Sequence, residues 1–382
     1  MLNFNVIPNP CYVLDEDLLR ANLSLIKNVK EALGIDIIVA FKGFAMWSAF
    51  PILKEYGFDT ATVSSLSEAQ LAAEFLSNQS HAYSVVYSDD DIDEIAKISK
   101  HLTFNSLNQY ERFSERVKKV NPEISLGLRV NPEYSDVEVE LYNPAAPGSR
   151  LGIRIENMPD KLPDGVEGLH FHALCESDSH DLANVLRNFE EKFGKYVPNL
   201  KWVNFGGGHL MTRKNYDIDF LKEIVNNFQK KYPNVSIILE PGAAFAWETG
   251  YLLSKVEDIV ENNGIKTAIL NVSFTAHMPD CLEMPYQPKI LGAEISETSA
   301  VQHLYRMGGN SCLSGDYVGF WKFNKELKIG DVVVFNDMIH YTMVKTTTFN
   351  GVKHPSIGIF SQEKGFRLVR AFGYEDYRNK LS

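Results

Sequence analysis

Five short segments end an apolar run on a side chain or loop able to do chemistry. They are Lys42 in VAFKGF, Arg129 in LGLRVNPE, His172 in GLHFH, Gly206–Gly208 in VNFGGG and Glu240 in IILEPG. A lysine that loses its charge on desolvation becomes a nucleophile toward carbonyl carbon. Consecutive glycines expose backbone N–H groups that can cradle a phosphate. A carboxylate can hold a proton on a facing ring nitrogen, and a histidine can stack on such a ring or hydrogen bond to it. Each residue alone also has an ordinary reading: a solvated lysine, a satisfied core histidine, a tight turn. The set carries more information than its members.

The elements that must position this set alternate along the first 250 residues. Strand candidates are Ile37–Phe41, Phe58–Val63, Tyr83–Val86, Leu102–Asn105, Ser125–Val130, Gly168–His172, Trp202–Phe205 and Ser236–Glu240. Amphipathic stretches lie between them, at Phe44–Tyr56, Ser65–Leu76, Asp89–Ser99, Leu107–Val120, Asp178–Val197 and Asp217–Tyr232. Asp15–Leu33 reads as a helix before the first strand. Strands that alternate with helical crossovers in this way predict an α/β fold, a (β/α)8 TIM barrel, over residues 15–250. Beyond Tyr251 helical periodicity fades. β-rich runs appear at Ile269–Phe274, Val301–Met307, Val332–Phe335 and Phe366–Phe372. Residues 251–382 therefore read as a second, mainly β domain of barrel or sandwich type, with residues 1–14 contributing an extra strand. In such barrels functional groups stand at the C-terminal ends of strands. All five chemical segments occupy such ends, and lysine, glycine loop and acid together are what pyridoxal 5'-phosphate requires.

Composition narrows the class. The 382 residues are 45% apolar and 23% charged, ample for a large core and too long for one ordinary domain. Thirty-eight Lys and Arg against 49 Asp and Glu give a net charge of -11, with no basic run, so nucleic acid is not an expected partner. No segment approaches the ~20 apolar residues of a membrane span. The start, MLNFNVIPNP, lacks a basic n-region and a cleavage site, so a cytoplasmic location is expected. Cys11, Cys175, Cys281 and Cys312 are widely spaced, which reads as free thiols, and no His/carboxylate cluster of metal-ligand spacing is present.

The ordered motifs VAFKGF, LGLRVNPE, GLHFHALCES, FGGG and LEPG, continued by FTAHMPD, GGNSCLSGD and FNDMIHYTMVKTTTFNG, resemble the alanine-racemase-like pyridoxal-phosphate decarboxylases. The resemblance covers nearly the whole chain. Within that group NPCYVLDEDLLRANL, AFKGFAMWSAFP and EPGAAFAWETGY are most similar to the branch acting on carboxynorspermidine and carboxyspermidine. The resemblance implies a homodimer with shared active sites and a small carboxylated polyamine as substrate. It implies that Lys42 holds the cofactor covalently, Glu240 pairs with the ring nitrogen and His172 stacks on the ring. Gly207 and Gly208, with the Tyr341 hydroxyl, would bind phosphate, and Arg129 would stand near the cofactor. Cys312 would reach the site from the neighbouring subunit and return a proton to the product, with Glu240 and Asp280 also at the substrate. Asp280 would contact its distal amine, while Cys175 reads as structural or near the phosphate.

Departures from the group are informative. Enzymes for smaller amino acids typically read EPGR, where this chain has Ala243, and CESGD, where it has Leu313. The ornithine type carries Asp after the cysteine. An aspartate that many relatives place near the ring histidine has no clear match around Thr62, although Glu68 fits a nearby acid by pattern. These changes favour a longer substrate with an apolar methylene segment. The competing expectations are a diaminopimelate- or ornithine-type decarboxylase and a racemase of the same fold, which lacks the cysteine motif. A pyridoxal-phosphate-binding protein without turnover would resemble the barrel alone.

Overall fold

Short runs of aliphatic residues pair in parallel through the middle of the chain. The strands are Asp36–Ile37 with Val39–Ala40, Ala61–Val63, Ser80–Tyr83, Ser99–Phe104, Ser125–Arg129, Val166–His170, Trp202–Asn204 and Ser236–Leu239. The first is interrupted at Ile38. Its leading half pairs with Ser236–Leu239 and its trailing half with Ala61–Val63, which brings the sheet round on itself as a (β/α)8 barrel. This computed structural model describes residues 2–296 and 302–382. By internal contacts it forms two units, Asn22–Phe245, and the chain up to Ala21 together with Ala246–Ser382.

In the barrel unit Leu66–Phe75, Leu107–Val120, Ser179–Phe193 and Ile218–Lys231 are each started by a side-chain cap and bury one stripe. Ser106 accepts the Gln109 N–H and opens Leu107–Val120, which buries Tyr110, Phe113 and Val117. Asp178 and Asp181 form a reciprocal capping box at the start of Ser179–Phe193. The barrel interior holds the indole of Trp202, whose Nε1–H donates to Ser125 Oγ at 2.8 Å. Gly168 makes room for it, since a Cβ there would lie 2.1 Å from the indole ring.

Relative to the sequence reading, Phe58–Val63 is shortened to Ala61–Val63, Leu102–Asn105 begins earlier at Ser99, and Gly168–His172 shifts to Val166–His170; one strand is displaced further. The third runs over Ser80–Tyr83, where the apolar pattern predicts Tyr83–Val86. Its polar residues are buried and paired, Ser80 Oγ with Ser99 Oγ and His81 Nε2 with Thr103 Oγ1, while Val86 lies exposed in the following loop. An apolar-run criterion cannot see a strand whose inward face is polar. The stretch predicted as helix over Phe44–Tyr56 is helical only from Trp47.

The other unit is a nine-stranded, mainly antiparallel sheet. Cys11–Asp15 lies between Gly250–Asn262, antiparallel, and Ser356–Ser361, parallel. The run predicted over Ile269–Phe274 ends as a strand at Leu270, because Ser273 caps a short helix at Phe274–His277. The run predicted over Val301–Met307 is a strand at Leu304–Gly308, with Val301 outside the described residues. Among the described residues no helix is long and apolar enough to cross a membrane.

Candidate active site

The barrel strands end in one polar cluster. Lys42 follows Val39–Ala40 in a turn, and Arg129 is the last residue of Ser125–Arg129. The Arg129 guanidinium donates to the His172 carbonyl at 3.2 Å and lies over the Tyr83 ring, 4.6 Å from its centroid. The Tyr83 hydroxyl in turn donates to Asn105 Oδ1. His172 Nδ1 accepts the Gly207 N–H at 2.8 Å, so its proton, when neutral, resides on Nε2. Desolvation, with the nearby charges of Lys42 and Arg129, holds His172 well below the usual imidazole range, and the ring is neutral at pH 7.

The glycine loop is required by close backbone approach. A Cβ on Gly207 would sit 2.4 Å from the Glu240 carbonyl, and Gly208 adopts φ +89 with Leu174 O 2.3 Å from any Cβ. Glu240, 4% exposed, ends Ser236–Leu239 and donates its N–H to Gly206 O. Its Oε1 accepts from Asn204 Nδ2 at 2.5 Å. Burial pushes its carboxyl up to about 7, against the nearby Thr62 hydroxyl, the Asn204 hydrogen bond and the charges of Arg129 and Lys42. Asn204 Oδ1 accepts the Gly206 N–H at 2.8 Å, tying the acid to the loop through one amide.

In the β unit a second group of predicted residues is ordered by Asp316. Its Oδ1 accepts the Thr275 N–H and its Oδ2 the Ser311 N–H, which folds the GGNSCLSGD segment into a fixed loop. Cys312 is exposed on that loop, its N–H donating to Asn350 Oδ1 at 2.9 Å, and Leu313 is also exposed. Asp280 is buried and pairs with Lys345 Nζ at 2.8 Å, and Lys345 also bonds Glu283. Tyr341 opens the helix Tyr341–Val344.

Lys42, Arg129, His172, Gly207, Gly208 and Glu240 therefore gather in the barrel unit, while Asp280, Cys312 and Tyr341 belong to the β unit. Glu68 accepts the Ser64 N–H at 2.7 Å, closing the cap of Leu66–Phe75. Sequence reasoning missed Asn204, His170, His81 and Lys345. The first two carried a signal: Asn204 stands two residues before Gly206, and His170 two before His172, on the same strand face. Lys345 carried none, since its pairing with Asp280 spans 65 residues.

A closed parallel barrel with a lysine, a glycine loop and a buried acid at its strand ends defines a class of pyridoxal-phosphate enzymes. Residues 11–339 match the family described as pyridoxal-dependent decarboxylase, C-terminal sheet domain, and the chain belongs to that family. It is 48% identical to the carboxyaminopropylagmatine decarboxylase of Synechocystis, over 98% of this chain and 96% of that relative. It is 44% identical to the carboxynorspermidine/carboxyspermidine decarboxylase of Campylobacter jejuni, over 98% of each. The crystal structure of carboxynorspermidine decarboxylase from C. jejuni, complexed with norspermidine, superposes with a TM-score of 0.90 at 42% identity, covering 98% of this chain and all of that one. The protein is thus a decarboxylase whose cofactor is pyridoxal phosphate. The barrel suits that group: it offers a lysine, an acid poised near neutrality, a histidine of fixed tautomer, and a glycine cradle that any Cβ would fill.

His209, directly after the glycine loop, is 1% exposed and held down to about 4 by burial. An unfolded imidazole titrates near ~6.5. The unfolded chain therefore binds the extra proton between these values, so this stabilising contribution is present above ~6.5 and is lost as pH falls toward 4. His209→Gln, which cannot charge, should flatten the slope of unfolding free energy against pH by up to one proton, roughly 1.4 kcal/mol per pH unit. Urea denaturation of the cofactor-free protein at pH 7, 6 and 5 measures it; identical slopes would contradict the burial argument.

Proposed function

We propose that the chain removes the α-carboxylate of carboxynorspermidine or carboxyspermidine, giving norspermidine or spermidine and CO2. The observation that carries this reading is the 44% identity over 98% of the C. jejuni relative, together with a norspermidine-bound structure at TM-score 0.90. Bound pyridoxal phosphate supplies an electron sink for the pair left when the Cα–carboxylate bond breaks. Lys42 holds it through its amine and exchanges with the substrate amine. Glu240 faces the ring nitrogen, and His172 lies against the ring with the orientation that Gly207 imposes. The glycine loop at Gly207 and Gly208 takes the phosphate, with the Gly207 N–H also orienting His172. Arg129 braces this end of the barrel through the His172 carbonyl.

The exposed Cys312 acts in a second copy of the chain, donating a proton to Cα in a homodimer with shared sites. Asp280 receives a substrate ammonium, and Leu313 offers an apolar wall where enzymes for shorter substrates carry an acid. The Synechocystis relative supports a second reading, in which the tail ends in a guanidinium in place of an ammonium. Both readings share a carboxylated aminopropyl head.

Steady-state kcat/KM for carboxynorspermidine, carboxyspermidine, carboxyaminopropylagmatine, diaminopimelate and ornithine separates them. The first two differ by one methylene, worth ~1–3 kcal/mol, so one should exceed the other by about 10- to 200-fold at most. Diaminopimelate and ornithine should lie at least about a hundredfold below the better of the two, consistent with loss of ~1.5–3 kcal/mol per unmade charge-assisted bond. Fastest turnover of carboxyaminopropylagmatine would establish the second reading, and efficient use of ornithine or diaminopimelate would end both. The dimer is tested by mixing Lys42→Ala and Cys312→Ala chains, each inactive. Exchange should recover one working site per heterodimer, whereas exchanged subunits without activity would contradict a shared site.

A further inference from the structure

The carboxyl of Glu240 has two oxygens: one accepts from Asn204, and the buried Thr62 hydroxyl lies against the group without a hydrogen bond of proper geometry. Asn204 Oδ1 is committed to the Gly206 N–H, so its Nδ2 must donate, and it does so to Oε1 at 2.5 Å. The second hydrogen of that amide points toward His81 Nδ1 at 3.3 Å, and His81 Nε2 meets Thr103 Oγ1 at 2.9 Å. Every group in this chain of contacts is satisfied.

His170 is different. It is 2% exposed, and neither ring nitrogen has a hydrogen-bond partner among the described residues. A buried polar nitrogen left open costs ~1–3 kcal/mol. Its Nε2 stands 3.5 Å from Glu240 Oε2, the oxygen that Asn204 does not serve. The Tyr83 ring packs edge-on against the imidazole, with centroids 5.2 Å apart, which limits its rotation. The titratable and charged groups around the pair are Lys42, Arg129, His81, His172 and Tyr83. Burial, with Arg129 and His172, keeps His170 neutral, so it carries one N–H.

We infer that His170 is a positioning residue for Glu240: its Nε2–H closes on Oε2 when the carboxylate is ionised and, with Asn204 on Oε1, fixes the plane of the acid. The closure needed is about half an ångström, to the ordinary ~2.9–3.0 Å of an N–H···O bond. A carboxylate held at both oxygens cannot swing about its last bond, and a neutral donor holds it without adding a competing cation. This deepens the proposed function and rests on Glu240 facing the cofactor ring.

A double-mutant cycle tests it, read as cofactor dissociation constant by absorbance titration and as kcat and KM separately. His170→Phe should weaken cofactor binding severalfold and lower kcat at least tenfold, with KM within twofold. In a Glu240→Gln background the same substitution should change either quantity less than twofold. His170→Gln, which keeps an N–H at similar reach, should recover most of the loss. If the Phe variant does not fold, His170→Met against His170→Gln makes the same comparison. Equal losses in both backgrounds, or no loss in either, would overturn the inference. A Glu240→Gln protein that bound cofactor and turned over normally would instead remove the assignment of Glu240 on which it rests.

Discussion

A carboxyl group placed where water cannot reach it sets the terms for the rest of this site. Glu240 is 4% exposed, and burial alone would leave it neutral near physiological pH. An acid meant to act as an anion there needs donors around it, and strong cations at contact distance would compete with whatever it is meant to face. The barrel answers with neutral partners: an amide at Asn204 and imidazoles at His81 and His170. Burial keeps those imidazoles uncharged, so the acid is surrounded by polarity without a full ion pair. Arg129 is kept at one remove, engaged by the His172 carbonyl and the Tyr83 ring.

The same amide links charge to backbone. Asn204 joins Glu240 to the first N–H of the glycine loop, and the second N–H of that loop sets the tautomer of His172. Glu240, the glycine loop and His172 are therefore one hydrogen-bonded assembly mounted on three adjacent strands, Val166–His170, Trp202–Asn204 and Ser236–Leu239. In the β unit Asp316 does comparable work with a charge, fastening the segment that carries Cys312 to the backbone of Thr275 and Ser311. That aspartate is buried and spends its oxygens on backbone N–H groups, which explains why the segment ends in SGD without assigning the acid to substrate.

Much of this was legible before any coordinates. Strand-end position marked Lys42, Arg129, His172 and Glu240, because apolar runs in a parallel barrel are continuous and a charged residue at their end stands out. What stayed hidden is the polar inner face. Ser80–Tyr83 is a strand whose polar residues hydrogen bond to the neighbouring strand Ser99–Phe104, and a reading that seeks apolar runs moves it three residues downstream into a loop. Asn204 and His170 are ordinary strand residues in sequence, and only their pairing with Glu240 gives them meaning. Lys345 is a more basic limit: an ion pair between distant segments leaves no periodic trace.

The central claim is that burial, moderated by neutral donors, governs the charge of Glu240. Infrared difference spectroscopy of the cofactor-free protein tests it most directly, by following the C=O stretch of a protonated carboxyl group against pH in the wild type and in Glu240→Gln. The account predicts a band present at pH 6, missing from the variant, and lost with a midpoint of about 7. A wild-type spectrum that matches the variant at pH 6, or a midpoint near the ordinary ~4.3 of a glutamate, would contradict it.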